Sequence, residues 1–272
     1  MRSASISSFA ALIVSAAAAQ AQGVSPGSWS GAVGSGAITA PKYAGADESR
    51  VLPIPYIQLV YKERISLGML PSGTGAGIGI SLLRGQSVSW DASLSGTGGR
   101  RERWGDALAG MGNQKVAATA GSGISYTRGP FSTAANVVMG LAQHAGNTGT
   151  ASLALQAPIT QRWIAGVSTG ATFADRDNMA FDFGITDAQA EGRQSLIARG
   201  DARLRSEDGR AYRPDAGLKQ TQTSASLSYL LSQRGRLVGF VQSASLSNEA
   251  ARSSVVRDRS SASGGMMVVY GF

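Results

Sequence analysis

The sequence predicts an all-β protein: a transmembrane antiparallel up-and-down β-barrel with short periplasmic turns and long extracellular loops. Three observations predict it. Apolar and polar residues alternate with a period of two along most of the chain, the connections between alternating segments sort strictly into short and long, and the chain stops on an aromatic, Phe272, inside such a segment. Alternation at 180° per residue builds strands with one apolar and one polar face. Sorted connections fit a membrane barrel, whose turns share one side and whose loops share the other. A soluble sandwich has no reason to sort its loops by parity.

Twelve segments carry the pattern, at 29–40, 53–61, 65–69, 76–83, 86–96, 116–128, 131–142, 149–158, 162–174, 216–231, 235–247 and 260–272. In the fifth, "SVSWDASLS" sets Val88, Trp90, Ala92 and Leu94 against serines and Asp91. In the seventh, Phe131, Thr133, Ala135, Val137, Met139 and Leu141 share a face. In the ninth, Trp163, Ala165, Val167, Thr169, Ala171 and Phe173 oppose mostly Gly, Ser and Thr. In the tenth, Ala225, Leu227, Tyr229 and Leu231 oppose Ser224, Ser226 and Ser228. The third and fourth segments are the weakest, so ten strands also fit. Connections 62–64, 84–85, 129–130, 159–161 and 232–234 are short; 41–52, 70–75, 97–115, 143–148, 175–215 and 248–259 are longer. An even strand count returns both termini to the periplasmic side.

Trp163 and Phe173 lie ten residues apart on one face. At about 3.3 Å per residue and a tilt near 40° they stand about 25 Å apart along the membrane normal, the height of an apolar band between two aromatic girdles. In the last strand Met266, Val268, Tyr270 and Phe272 alternate, although Met267 and Val269 are apolar as well. Trp163, Phe173, Tyr270 and Phe272 are therefore the expected girdle and assembly residues. The lumen is expected to be lined mostly by Ser, Thr, Gly and Ala, with Asp91 and Lys219 as rare charges.

The N-terminus places the chain in the envelope. "MRSASISSFAALIVSAAAAQAQG" has a basic start, an apolar run from Phe9 to Ala19 and a small-x-small site. That is the layout of a signal peptide, residues 1–21, leaving 22–272 as a single barrel domain. The apolar run is too short for a membrane helix of about 20 residues. The formal net charge is +8, of which Arg2 would leave with the leader. In an exported protein that balance excludes nucleic acid as partner and points to anionic surfaces such as lipopolysaccharide or cell-wall polymer. Thirty-six glycines and few charges suit many strands and turns.

The chain carries little chemistry. It has no cysteine, which excludes disulfides, iron–sulfur clusters and thiolate zinc sites. The single histidine, His144, has Gly146 two residues on and reads as a solvated loop residue rather than a general base. "DRDN" at 175–178 resembles the start of a calcium loop, but Ala180 and Thr186 stand where glycine and glutamate are needed. A loose calcium site among Asp175, Asp177 and Asp182 stays open beside the plainer reading of a solvated loop. "GGRRERWGD" around Trp104 reads as a solvated basic loop that could also meet lipopolysaccharide. "SGTGAGIGI" has no helix behind it to hold a phosphate. No catalytic residue, cofactor or metal is expected.

Several segments resemble the MipA/OmpV outer-membrane proteins. "PKYAGADESRVLPIPYIQLVY" is similar to that family's early block through Pro41, Tyr43, Gly45, Asp47, Arg50, Pro53, Pro55 and Tyr61. "GPFSTAANVVMGLAQHAGNTGT" is similar to its middle block, and "TFADRDNMAFDFGIT" matches through Ala174, Asp175, Phe183, Gly184 and Thr186. Ser49 replaces an aromatic, Ile185 replaces valine, and "NEAARSSVVRDRSS" lacks a Ser-Pro near its start. The resemblance implies a non-enzymatic outer-membrane barrel, in its name-giving branch a scaffold joining a murein transglycosylase to a peptidoglycan synthase. Outer-membrane lipid and the outer-membrane insertion machinery are the other expected partners. Two alternatives are a narrow small-solute pore and a barrel that binds through its outer loops.

Overall fold

The fold is given by a computed structural model, which describes residues 29–70, 75–141 and 145–272. The expected leader and His144 lie outside them. Twelve antiparallel strands close into a barrel in sequence order, with β1 sealed against β12. They are β1 (Trp29–Pro41), β2 (Ser49–Tyr61), β3 (Ile65–Met69), β4 (Ala76–Arg84), β5 (Val88–Thr97), β6 (Ala117–Arg128), β7 (Phe131–Gly140), β8 (Asn147–Pro158), β9 (Trp163–Ala174), β10 (Gly217–Leu230), β11 (Gly235–Leu246) and β12 (Ser260–Gly271).

β2 begins at Ser49, four residues before the sequence pattern starts, because β1 pairs with it as far as Pro41↔Ser49. Pro53 and Pro55 lie inside this longer strand. They are tolerated because β3 pairs only with Gln58–Tyr61, leaving this stretch of β2 an unpaired edge among the described residues. The other strand limits fall within two residues of the sequence pattern.

The period-two pattern becomes an apolar outer wall. Val33, Ile57, Ile80, Leu94, Ile124, Val137, Leu153, Val167, Val241 and Val268 are all exposed on it. A closed sheet with that surface satisfies its backbone hydrogen bonds internally and can face lipid, as an outer-membrane barrel does. Ser122, a polar residue on that wall, is satisfied by the Trp90 indole N–H at 2.9 Å, and Thr133 by donating to the Ser152 carbonyl at 3.1 Å.

The inner wall has two sectors. From β5 to β10 it is small and polar, stitched by hydroxyl pairs such as Ser89–Ser125 at 2.8 Å, Ser95–Thr119 at 2.9 Å and Ser168–Ser224 at 2.7 Å. On β1, β2, β11 and β12 it is apolar: Ile38, Leu52, Ile54, Tyr56, Val238, Phe240, Met267 and Val269 form one buried cluster. This corrects the expectation of a lining that is mostly Ser, Thr, Gly and Ala. Met267 and Val269, which spoil the amphipathic pattern of β12, belong to that inner cluster. The expectation also missed Arg236, which faces inward beside the cluster and is buried.

Candidate functional site: a cored cap over the barrel mouth

The long connections are not the solvated loops that the sequence suggests. Residues 175–216 fold into two helices, α1 (Arg176–Phe183) and α2 (Asp187–Ala198), and Asn248–Ala251 form a single turn, α3. Local chemistry starts each of them. Asp175 caps α1 by accepting the Asn178 N–H at 2.8 Å. Thr186 and Gln189 form a reciprocal capping box at α2, and Ser247 caps α3. The same Asp175 carboxylate takes the Asn147 backbone and side-chain N–H groups at 2.9 and 2.7 Å, fastening α1 to the start of β8. Gly146 permits this closeness: its φ is +64° and a Cβ there would stand 2.1 Å from the Asn178 nitrogen.

Four connections then share one core. Tyr43 and Ala46 (after β1), Leu108 and Met111 (after β5), Ile185 and Ala190 (after β9) and Val255 (after β11) pack together, with Trp104 and Tyr212 against them. In a ring of twelve strands, the β5–β6 connection springs from the side opposite the β11–β12 connection. Their side chains can meet only if these segments reach across the mouth, so the cluster spans it. A second cluster of Ala174, Met179, Phe183, Leu246 and Ala250 seats α1 on the ends of β9 and β11.

Charges at the heart of the cap are buried and paired. Arg193 on α2 is fully buried; its Nε donates to the Asp208 carbonyl at 2.6 Å and its Nη1 to the Ala107 and Ala109 carbonyls at 2.9 and 3.3 Å. The buried Asp208 carboxylate receives both Arg257 Nη groups, at 2.9 and 2.5 Å, and the Arg205 backbone N–H at 2.8 Å. Burial opposes its ionisation, but these hydrogen bonds and the two arginine charges win and hold its carboxyl below the usual carboxylate range. Burial, helped by the Asp47 charge and opposed by the nearby arginines, pushes the Tyr43 phenol up to about 12. That phenol donates to the Val255 carbonyl at 3.1 Å. Burial, then the bond to Glu249, likewise raises Tyr212 to about 12.

The cap also takes hold of the barrel interior. A β-bulge between Leu218 and Gln220 inserts Lys219 and turns its ammonium toward α1. Its Nζ binds Asp182 at 2.5 Å and Asn178 at 2.7 Å. Lys219, expected as a lumen charge, is thus a strut between wall and cap. Asp175 and Asp182 of the loose calcium candidate are committed to helix capping and to this ion pair; among the described residues no cluster could hold a metal. The basic segment around Trp104 is solvated only in part: Arg101 and Arg103 are exposed, but Arg100 is buried and donates to the Asp182 carbonyl at 2.6 Å, and Arg50 lies 4.2 Å above the Trp104 ring.

The four residues singled out in the sequence stand on the outer wall and apart from the cap's core. Trp163, Tyr270 and Phe272 lie exposed at the turn end, and Phe173 lies exposed at the loop end. Trp29, Trp90, Tyr126 and Phe131 join the turn-end group, so the outer aromatics are concentrated there. Two cross-strand pairs meet in it with tilted rings, Trp29–Tyr61 at 4.9 Å and Trp163–Tyr229 at 4.7 Å between ring centroids. The sequence reading missed Arg193, Asp208 and Arg257 altogether. The capping signature of Thr186 and Gln189 could have revealed α2, but nothing local marks its buried arginine.

The family described as MltA-interacting protein MipA matches residues 33–272, nearly the whole chain. No curated protein matches the sequence. Among solved structures, the chain is similar to an outer-membrane channel of the COG4313 group from Pseudomonas putida F1, at TM-score 0.46 and 10% identity over 92% of this chain and 97% of that one. It is similar to an anion-selective porin from Comamonas acidovorans, at TM-score 0.41 and 10% identity over 90% and 99%. With Pseudomonas putida OprB it shares 10% identity at TM-score 0.39, covering 81% of this chain but only 59% of OprB.

Proposed function

The chain belongs to the MipA family, and from that premise we propose that it is a non-enzymatic outer-membrane scaffold whose work is to hold an envelope partner. The observation that carries this reading is the cored cap. Four connections with a common core and a buried Arg193–Asp208–Arg257 network present a fixed surface, where a pore needs an open path. The family description names MltA as the partner; we take that partner to be a murein transglycosylase and extend it to this chain. Residues 1–21 act as a cleaved leader in this reading. Trp163, Phe173 and Tyr270 hold the barrel at the two interfaces, and Phe272 completes the seam that assembly requires.

The test is capture. Full-length protein, crosslinked in native envelopes and then solubilised, should recover a murein transglycosylase; repeated recovery of none would remove the scaffold reading. The small polar inner sector favours a second reading, a narrow solute pore. Planar bilayers separate the two: the scaffold should give no resolved conductance steps, and stable steps from the intact protein would promote the pore.

A further inference from the structure

Most of the protein's charge imbalance sits at one end: six cations less one acid give +5 there, of a formal net charge of +8. The long connections at 42–48, 98–116, 175–216 and 247–259 hold fifteen basic and fifteen acidic residues, so the loop end's connections are neutral. At the turn end every one of the five turns carries or directly adjoins a cation: Lys62 and Arg64, then Arg84 and Arg128 at the strand ends, Arg162 and Arg234. All six are exposed, and Glu63 is the lone acid among them.

These cations stand in register with the outer aromatic group. Lys62 Nζ lies 5.3 Å from the Tyr61 ring centroid, and Arg162 Nη1 lies 3.4 Å from the Tyr229 hydroxyl. Arg128 pairs across its turn with exposed Phe131, and the Arg234 carbonyl accepts the Gly271 N–H at 2.8 Å beside Tyr270 and Phe272. Aromatic rings of this kind mark the level of the lipid headgroups. The turns are two to four residues long, too short to lift a guanidinium far out of that layer.

We infer that the turn-end cations form a belt that binds the phosphates of anionic phospholipids in the periplasm-facing leaflet. Their distribution chooses lipid over a protein partner. A docked protein would contact one side of the rim, whereas a cation at every turn faces the whole annulus. This inference is independent of the scaffold reading.

The test uses the intact chain in vesicles and the tryptophans as reporters, since Trp29 and Trp163 are 56% and 39% exposed within the belt. Quenching by brominated phosphatidylglycerol is compared with quenching by brominated phosphatidylcholine at low salt. The belt should favour phosphatidylglycerol by about threefold, the scale expected for cations at an anionic surface. Half-molar salt should erase most of that preference. Replacing all six cations by glutamine should bring the ratio to one. Arg176→Gln with Arg213→Gln, at the loop end, should leave it unchanged. Heat-modifiable migration on gels verifies that each variant is folded; if the sixfold variant is not, Arg128→Gln with Arg234→Gln should remove about a third of the preference. A wild-type ratio of one would overturn the inference, as would a folded sixfold variant that keeps the preference. So would a variant that loses transglycosylase capture while its lipid preference stays intact, which would hand the cations to the protein partner.

Discussion

The two ends of this barrel solve the problem of joining strands in opposite ways. At the turn end, chain is kept to a minimum: Lys62 and Glu63 even accept left-handed backbone, at φ values of 49° and 56°, to close β2 on β3 in three residues. Chemistry there faces outward, as aromatic rings and cations. At the loop end, chain is generous and chemistry faces inward, as a core of Tyr43, Leu108, Ile185 and Val255 around a buried ion network. The difference teaches that an end held by lipid can dispense with a core of its own. An end that stands above the membrane must bury one to stay in a single shape.

The sharpest way to break that contrast is to empty the cap's ion network. Asp208→Ala leaves Arg193 and Arg257 buried without their carboxylate, and breaking such a pair costs about 3 to 5 kcal/mol. Residues 175–215 should become protease-sensitive while the barrel keeps its heat-modifiable migration; joint loss of both would mean that the two ends are one cooperative unit. Alkaline pH should open the same region. A phenol raised from about 10 when unfolded to about 12 in the cap stabilises the fold fully below pH 10 and loses that contribution as pH climbs through 12. The contribution is on the order of 2 kcal/mol. Tyr43→Phe should therefore weaken the cap's dependence of protease sensitivity on pH between those values, and Tyr43→Phe with Tyr212→Phe should flatten it. Asp208 runs the other way, since its lowered carboxyl stabilises above the ordinary aspartate range and fails as pH falls through its folded value.

Smaller effects sharpen the comparison. Gly110 has φ +76° and a Cβ there would meet Arg193 Cγ at 2.9 Å, so Gly110→Ala should cost the cap about 1 to 2 kcal/mol by hydrogen exchange. At the other end, Glu63→Gly should relieve its left-handed strain and raise barrel stability in urea by about 1 kcal/mol. Smallest of all, Arg176→Gln should change cap stability by less than about 0.5 kcal/mol. Its bond to Asp215 is 2.6 Å long but more than two-thirds exposed at both partners.

The barrel was legible because each strand writes its own alternating pattern, from Phe131 to Met139 for instance, with no need of distant residues. Loop parity then supplied the order of the strands. The cap was illegible for the complementary reason. Arg193 looks like any helical surface arginine until Asp208, Ala107 and Ala109 surround it, and those partners come from other connections. The inner apolar sector fell between these cases. Met267 and Val269 broke the pattern visibly, but only the closure of β12 on β1 gives them Ile38 and Ile54 as neighbours.

That closure has a consequence in time. β1 is sealed against β12 from Ala32↔Gly271 to Thr39↔Gly264, and Gly31 and Phe272 exchange two further hydrogen bonds at 3.0 and 2.9 Å, so β1 waits for β12. Until β12 arrives the ring stays open, and β1 keeps an edge ready to pair with anything that offers one. Contacts between the two ends of a chain are also the slowest to form. Closing β12 on β1 is therefore the step that joins the most distant parts of the sheet, and the one expected last in its assembly.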